Sequence, residues 1–171
     1  MPSPQGSTVT FRRVPADFGR RAIERFARQL QTEVAQGRPF DCLIAGDAEL
    51  RRLNRKFLGS DYPTDVLSFP GVAPAILSPV TLRPRATTGD KIAGATSPHL
   101  GDIAISFPRA RAQARAFGHD TGQEIQILML HGLLHLLGMD HATDGGRMAR
   151  AEKRWRARLG LPTGLIERVR P

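Results

Sequence analysis

The sequence has little cysteine and no long hydrophobic run. Its 171 residues include one cysteine, Cys42, which excludes an intramolecular disulfide and is typical of a reducing compartment. The richest apolar segment, residues 127–137, contains two histidines and a glycine, whereas a membrane-spanning helix needs about 20 predominantly apolar residues. Residues 1–10 lack the apolar core of a secretory signal. We therefore predict a cytoplasmic protein with no membrane partner.

Lysine is also scarce, although the chain is strongly basic. Lys and Arg number 25 against 16 Asp and Glu, a formal charge of +9, and only three of these basic residues are lysines. This charge favours a polyanionic partner such as nucleic acid, although a GC-rich genome would produce the same arginine excess. The apolar share of 40% excludes a wholly disordered chain. The length predicts one domain over residues 1–171.

Hydrophobic periodicity and chain breakers predict a mixture of strands and helices. Strands are predicted over residues 8–14, 40–45, 64–69 and 101–107, and helices over residues 17–36, 47–57, 108–117, 123–137 and 144–159. Asp17 and Asp47 are the predicted N-caps of the first two helices. The strands over 64–69 and 101–107 should pair. Because strands and helices mix without strict alternation, we predict an α/β (α+β) fold with helices packed on one small mixed sheet.

Residues 70–100 contain eight prolines and glycines in 31 positions and show no periodicity. Loops of this length are uncommon in compact domains, so the segment is either a mobile flap or a tolerated insertion. We favour a flexible insertion.

Two helices carry arginines along one face. The last helix has a basic stripe, and the first helix has a similar one; these residues are Arg147, Arg150, Arg154 and Arg158, and Arg21, Arg25 and Arg28. A solvated surface is the usual meaning of such a face, and a ligand site is the alternative.

Three of the five histidines fall within eleven residues. His131 and His135 are four apart on a helix, so their rings project from one face and can converge on one ion. His141 would lie about 15 Å along the axis from His131 if the helix continued. A positive φ at Gly138 would end the helix and bring His141 back to the same ion. The metal site is thus predicted on a helix and the turn after it.

Three neutral imidazoles favour zinc, one ion per chain, with the fourth position left for water or substrate. Nickel, copper and iron also accept imidazole and remain alternatives. The same spacing occurs in metzincin proteases, where a glutamate follows the first histidine, but here that position is Gly132. Peptide hydrolysis by that route lacks its general base. An open metal and a basic surface instead both suit a phosphodiester substrate. Glu124 is expected either to hydrogen-bond a ligating ring or to serve only as a first-turn helix residue.

The histidine segment, residues 131–141, reads His-Gly-Leu-Leu-His-Leu-Leu-Gly-Met-Asp-His and resembles the motif of the YbeY endoribonuclease family of bacterial rRNA maturation factors. Further segments resemble the family in the same order: Leu53-Asn54, the run Pro-Thr-Asp-Val-Leu-Ser-Phe over residues 63–69, Leu-Gly-Asp-Ile over 100–103, and Met148 with Glu152. The resemblance covers residues 40–160.

This resemblance implies a single-domain α/β protein that holds one zinc ion through His131, His135 and His141. It also implies a cytoplasmic, single-strand-specific endoribonuclease that acts in 16S rRNA 3′-end maturation and ribosome quality control, with the small ribosomal subunit as partner. Asp65 and Ser68 would form part of the cleft wall without a catalytic role.

One departure affects the predicted chemistry. The family often has an arginine, important for nuclease activity, at the position of Leu58. Arg55 and Lys56 are the candidates to bind the phosphate instead, and beyond a metal-bound water no catalytic group is assigned. The alternative function is a non-catalytic, zinc-containing rRNA-binding assembly factor. A third is a metallohydrolase of peptides or small molecules.

Overall fold

The structure is a computed structural model, and it describes residues 6–71, 99–140 and 143–162. The strands are β1 (Thr8–Phe11), β2 (Asp41–Ala45), β3 (Val66–Pro70) and β4 (Gly101–Ser106). The helices are α1 (Arg20–Glu33), α2 (Asp47–Leu53), α3 (Phe107–Phe117), α4 (Thr121–Leu136) and α5 (Arg147–Leu159), and a π-helical turn over Asn54–Leu58 extends α2. The predicted mixed α/β class is confirmed.

The four described strands form one sheet in the order β1-β2-β4-β3. The first three in this order are parallel, and β3 is antiparallel to β4. The sequence predicted that these last two segments pair, without their direction. Within that pair, Ser68 lies opposite Ile103. Among the described strands, β3 has a neighbour on one side only, so it lies at an edge of the described sheet.

Alternation along the central strands divides the core between the two faces of the sheet. Ile44 and Ile103 point to a large cluster with α1, α3, α4 and α5, which we call the α4 face. Leu43 and Ala104 point to a smaller cluster with α2, which we call the α2 face. Cys42 is buried on the α4 face as a small apolar residue, and burial raises the pKa of its thiol. None of the described helices is both long and apolar enough to cross a bilayer.

The starts of three helices differ from the sequence predictions. Helix α1 begins after Gly19 rather than Asp17, and α2 begins after Gly46. The carboxylate of Asp47 instead accepts a hydrogen bond from the Ser106 hydroxyl at 2.7 Å. Helix α4 starts two residues earlier than predicted because Asp120 and its N3 residue form a capping box.

The predicted insertion, residues 70–100, falls largely outside the described residues. The described parts show where the chain leaves and rejoins the sheet: the Gly71 amide donates to the Leu100 carbonyl at 2.8 Å. Pro70 and Gly101 are partners in the β3-β4 ladder. The intervening segment therefore connects two neighbouring points of the sheet.

Candidate metal centre

Helix α4 lies closely against the sheet at Gly132. A Cβ atom at this position would lie 2.9 Å from Ile103 Cγ2 and 3.1 Å from Ser68 Oγ. The Ser68 hydroxyl donates to the Gly132 carbonyl at 3.1 Å. Position 132 thus faces the sheet and has no room for a side chain. The glutamate that metzincins use there could not be accommodated in this packing, which extends the sequence argument against a protease.

The structure brings together His131 and His135, the first two predicted ligands. Their ring centroids are 4.8 Å apart and their planes are inclined by 78°. Both rings line a cavity of about 340 Å³ between α4 and the edge strand, to which Ser68 and Leu136 also contribute. Ser68 is therefore in the cleft wall, as the resemblance implied.

Hydrogen bonding determines which nitrogen of His135 can coordinate a metal. Its Nδ1 lies 3.0 Å from the Met139 carbonyl oxygen. A carbonyl can only accept, so Nδ1 carries the proton and the lone pair is on Nε2. This orientation is the one in which an imidazole binds a metal through Nε2 while its other nitrogen donates to the protein.

The ring of His131 is oriented by a carboxylate from α5. His131 Nδ1 lies 2.9 Å from Glu152 Oε1, and Arg156 donates to Glu152 Oε2 at 2.7 Å. Burial raises the pKa of Glu152, but the hydrogen bond and charge of His131, together with Arg156, outweigh it and lower that pKa to about 2. The ionised carboxylate accepts from Nδ1, so a neutral His131 has its lone pair on Nε2.

Of the two alternatives for Glu124, the structure places it in the first turn of α4, where it contacts a histidine other than the predicted ligands. Glu124 is fully buried with its Oε1 2.7 Å from His119 Nε2, whereas the carboxylate in contact with His131 is Glu152. The sequence signal was available in the resemblance, which included Glu152, but periodicity along one helix could not reveal a partner on another.

The turn after α4 behaves as predicted at Gly138, where φ is +97°. The Gly138 amide donates to the His135 carbonyl at 2.9 Å and the Met139 amide donates to the Leu134 carbonyl at 3.1 Å. These two bonds make a Schellman motif, which favours glycine at this position. The turn also brings the Met139 carbonyl back to the His135 ring. The third predicted ligand, His141, lies outside the described residues and stays a prediction.

The structure does not bring the two phosphate-binding candidates to this cavity within the described residues. Arg55 lies 3.6 Å from Asp61, and the Lys56 ammonium lies 5.5 Å from the centre of the Phe57 ring. Phe57 packs on Phe69 in the α2 face of the core. The π-helical turn thus belongs to the opposite face of the sheet from His131.

Leu58, where the family often has arginine, is 54% exposed. Asp65 is not one of the residues that line the cavity. Its carboxylate accepts a hydrogen bond from Gln113 at 3.1 Å.

A second cluster of ligand-type side chains lies on the α2 face, and the sequence reasoning missed it. Asp41, His99 and Asp102 offer ligand atoms that all lie within 4.8 Å of one another, so the cluster could hold a metal ion. Asp41 and Asp102 are partners in the parallel β2-β4 register, and His99 Nε2 lies 3.1 Å from Asp41 Oδ2. Thr8 donates to the same carboxylate. Strand register brings Asp41 to Asp102, and no local sequence pattern links Asp41 to His99 and Asp102.

Fold and site together define a small α/β protein with paired imidazoles in a cavity beside β3. The family model for Endoribonuclease YbeY matches residues 11–160. An Endoribonuclease YbeY of Solibacter usitatus is 63% identical over 169 residues, 99% of each chain. A protein of the same name from Chloroflexus aggregans is 40% identical over 149 residues, 82% of this chain and 87% of the relative. The chain belongs to the Endoribonuclease YbeY family.

A solved structure supports the fold. The solution structure of TM1509 from Thermotoga maritima aligns with a TM-score of 0.52 at 20% identity, and it covers 95% of this chain and 97% of that one. This similarity concerns the fold alone. The family assignment confirms the resemblance found in the sequence, and with it the predicted enzyme class, an endoribonuclease.

Proposed function

We propose that this protein is a metal-dependent, single-strand-specific endoribonuclease that acts in 16S rRNA 3′-end maturation and ribosome quality control. The observation that carries the proposal is the pair His131 and His135. In this member of the family, Nδ1 of each ring is hydrogen-bonded to an acceptor from the chain. The partners are single-stranded rRNA and the small ribosomal subunit, and the compartment is the cytoplasm.

The proposed ligands of a single Zn²⁺ are His131, His135 and His141. The donor set fits this ion, because the acceptors at Nδ1 of the first two rings leave Nε2 of a neutral imidazole to coordinate the metal. When bound, zinc would lower the pKa of a water molecule and polarise a phosphodiester oxygen. Glu152 and the Met139 carbonyl hold the rings in place, and Ser68 fixes α4 against the edge strand.

The decisive experiment compares the two clusters that could hold a metal. We expect His131→Ala to abolish both zinc in elemental analysis and cleavage of single-stranded RNA. The matched control is His99→Ala, which removes an imidazole from the α2 face, and we expect it to retain both. Loss of zinc from the His99 variant but not from the His131 variant would overturn the proposed ligand set. Unchanged RNA cleavage by His131→Ala would overturn the mechanism.

A second candidate is a zinc-containing, rRNA-binding assembly factor without catalysis. The observation that favours it is Leu58, whose exposed side chain stands where the family often has arginine. Since this position is on the surface, Leu58→Arg should fold normally. A gain in RNA cleavage would show that the wild-type chain lacks a phosphate-binding group. Full wild-type activity with no gain would show that another group performs this role.

We also propose that residues 1–171 form one domain with a flexible insertion over 70–100. The support is that all four described strands join one sheet, and that the chain leaves and rejoins this sheet at neighbouring residues, Gly71 and Leu100.

A further inference from the structure

Helix α5 has two faces with different chemistry. Its inner face packs on α4 through Met148 and Ala151 and carries Glu152 to His131. Its exposed residues are all basic or alanine: Arg147, Ala149, Arg150, Lys153, Arg154, Ala157 and Arg158. No acidic residue interrupts this outer surface. We call the four arginines the α5 stripe.

The stripe lies on the far side of α5 from the histidine cavity. Arg150 and Arg154 are each two residues from Glu152, which places them about 160° from it around a helix with 3.6 residues per turn. From Arg147 to Arg158 the stripe is about 16 Å long, and the body of the helix, about 10 Å across, separates it from His131. A ligand bound along the stripe therefore does not occupy the cavity.

The arginines of the stripe, unlike the two arginines of α2, have no carboxylate partner among the described residues. Arg51 is paired with Asp61 and Arg52 with Glu49 at 2.8 and 2.6 Å. In the stripe, Arg150 donates only to a backbone carbonyl, and Arg158 lies over the Trp155 ring. Like charges three and four residues apart destabilise a helix. The stripe is thus unfavourable for α5 itself, and a bound polyanion would relieve this repulsion.

We propose that the α5 stripe is an anchoring surface for the phosphate backbone of single-stranded RNA, separate from the histidine cavity. This inference rests on the proposed function, which supplies single-stranded RNA as the ligand. Guanidinium groups bind phosphate oxygens with two parallel hydrogen bonds, and a row of them follows a flexible backbone without reading its sequence. The stripe increases the affinity for an RNA that is long enough to reach from the cavity, around α5, to the stripe. It does not change the affinity for a short fragment.

The test uses the full chain with Arg150→Gln and Arg154→Gln together. For a long oligouridine, we expect the dissociation constant to rise about tenfold at 0.15 M salt, and the slope of log affinity against log salt to flatten by about 1.4, because about 0.7 is lost per phosphate contact on single strands. Affinity for a uridine trinucleotide should not change. In cleavage assays KM for the long RNA should rise while kcat is kept. The melting temperature should not fall, because like-charge repulsion is removed.

The matched control is Arg21→Gln with Arg25→Gln, which removes the same two charges from α1. Equal weakening by the control would show an effect of net charge alone and overturn the proposal, as would unchanged affinity in the α5 variant. Loss of binding to phosphatidylserine vesicles with RNA affinity intact would assign the stripe to a membrane surface instead. The nuclease function and the anchoring role of the α5 stripe can fail separately. If the wild type binds RNA without cleaving it, the nuclease function is wrong, but the affinity comparison still tests the stripe.

Discussion

At the scale of single residues, the candidate centre depends on contacts that fix ring orientation. Glu152 and His131 are 21 positions apart and meet only because α5 packs on α4. The sequence could predict that His131 and His135 share a helix face, because that is a local consequence of helical spacing. It could not predict the partners of the rings from periodicity, because those depend on tertiary packing. The same limit explains why Glu124, on the same helix, was the carboxylate considered for a ligating ring.

The ion pair of Glu152 makes acid stability testable. Its pKa is lowered from 4.5 to about 2 in the fold. The carboxylate therefore contributes stability that is present above its unfolded pKa and is lost as the pH falls from 4.5 towards 2. At full effect this is about 3 kcal/mol. In metal-free protein, we expect Glu152→Gln to remove this part of the pH dependence, measured as the free energy of unfolding in urea.

The control for this variant is Glu33→Gln, which removes an exposed carboxylate from α1. It should leave the acid limb of the stability curve unchanged. An identical acid limb in wild type and Glu152→Gln would contradict the assignment of that limb to the His131–Glu152–Arg156 contact.

At the scale of secondary-structure elements, the predictions succeeded where the signal was local. The end of α4 at Gly138 and the pairing of β3 with β4 were both predicted correctly. Helix starts were predicted less well, because Asp47 bonds to Ser106 from another element instead of capping α2. The cluster of Asp41, His99 and Asp102 was out of reach for a similar reason, since its members meet across strand register.

The close contact between α4 and the sheet predicts opposite effects for two glycines of the same helix. A methyl group at Gly132 would lie 2.9 Å from Ile103 Cγ2, so Gly132→Ala should destabilise the fold by about 1–3 kcal/mol. At Gly122 the nearest atom is 3.4 Å away, and Gly122→Ala should be neutral or stabilising by up to about 1 kcal/mol. Thermal or urea unfolding of both variants measures the difference. Equal stability of the two would refute the packing argument.

At the scale of the whole molecule, the family assignment and the mixed sheet could be predicted from the sequence because the motifs are long and fall in the same order as in the family. The arrangement on two faces could not, since it depends on which side of the sheet each helix packs. In the structure, Arg55 and Lys56 lie on the α2 face, opposite the histidines.

The predicted insertion has its own test at this scale. Replacing residues 72–98 with a short glycine-serine linker should preserve folding, bound metal and RNA cleavage, because Gly71 and Leu100 are already joined by a backbone hydrogen bond. Circular dichroism, elemental analysis and a cleavage assay check the three properties. Loss of cleavage with the fold and metal retained would contradict an inert insertion and favour a flap that takes part in the reaction.

The Schellman turn at the end of α4 has a consequence for how the centre is assembled. The turn that ends the helix also supplies the carbonyl to which the His135 ring donates, and Glu152 does the same for His131 from a neighbouring helix. Both imidazoles are thus preorganised by polypeptide alone. After chelation, metal uptake by this pair should be limited by the arrival of the ion and not by refolding, in contrast to zinc fingers, which are unfolded without their metal.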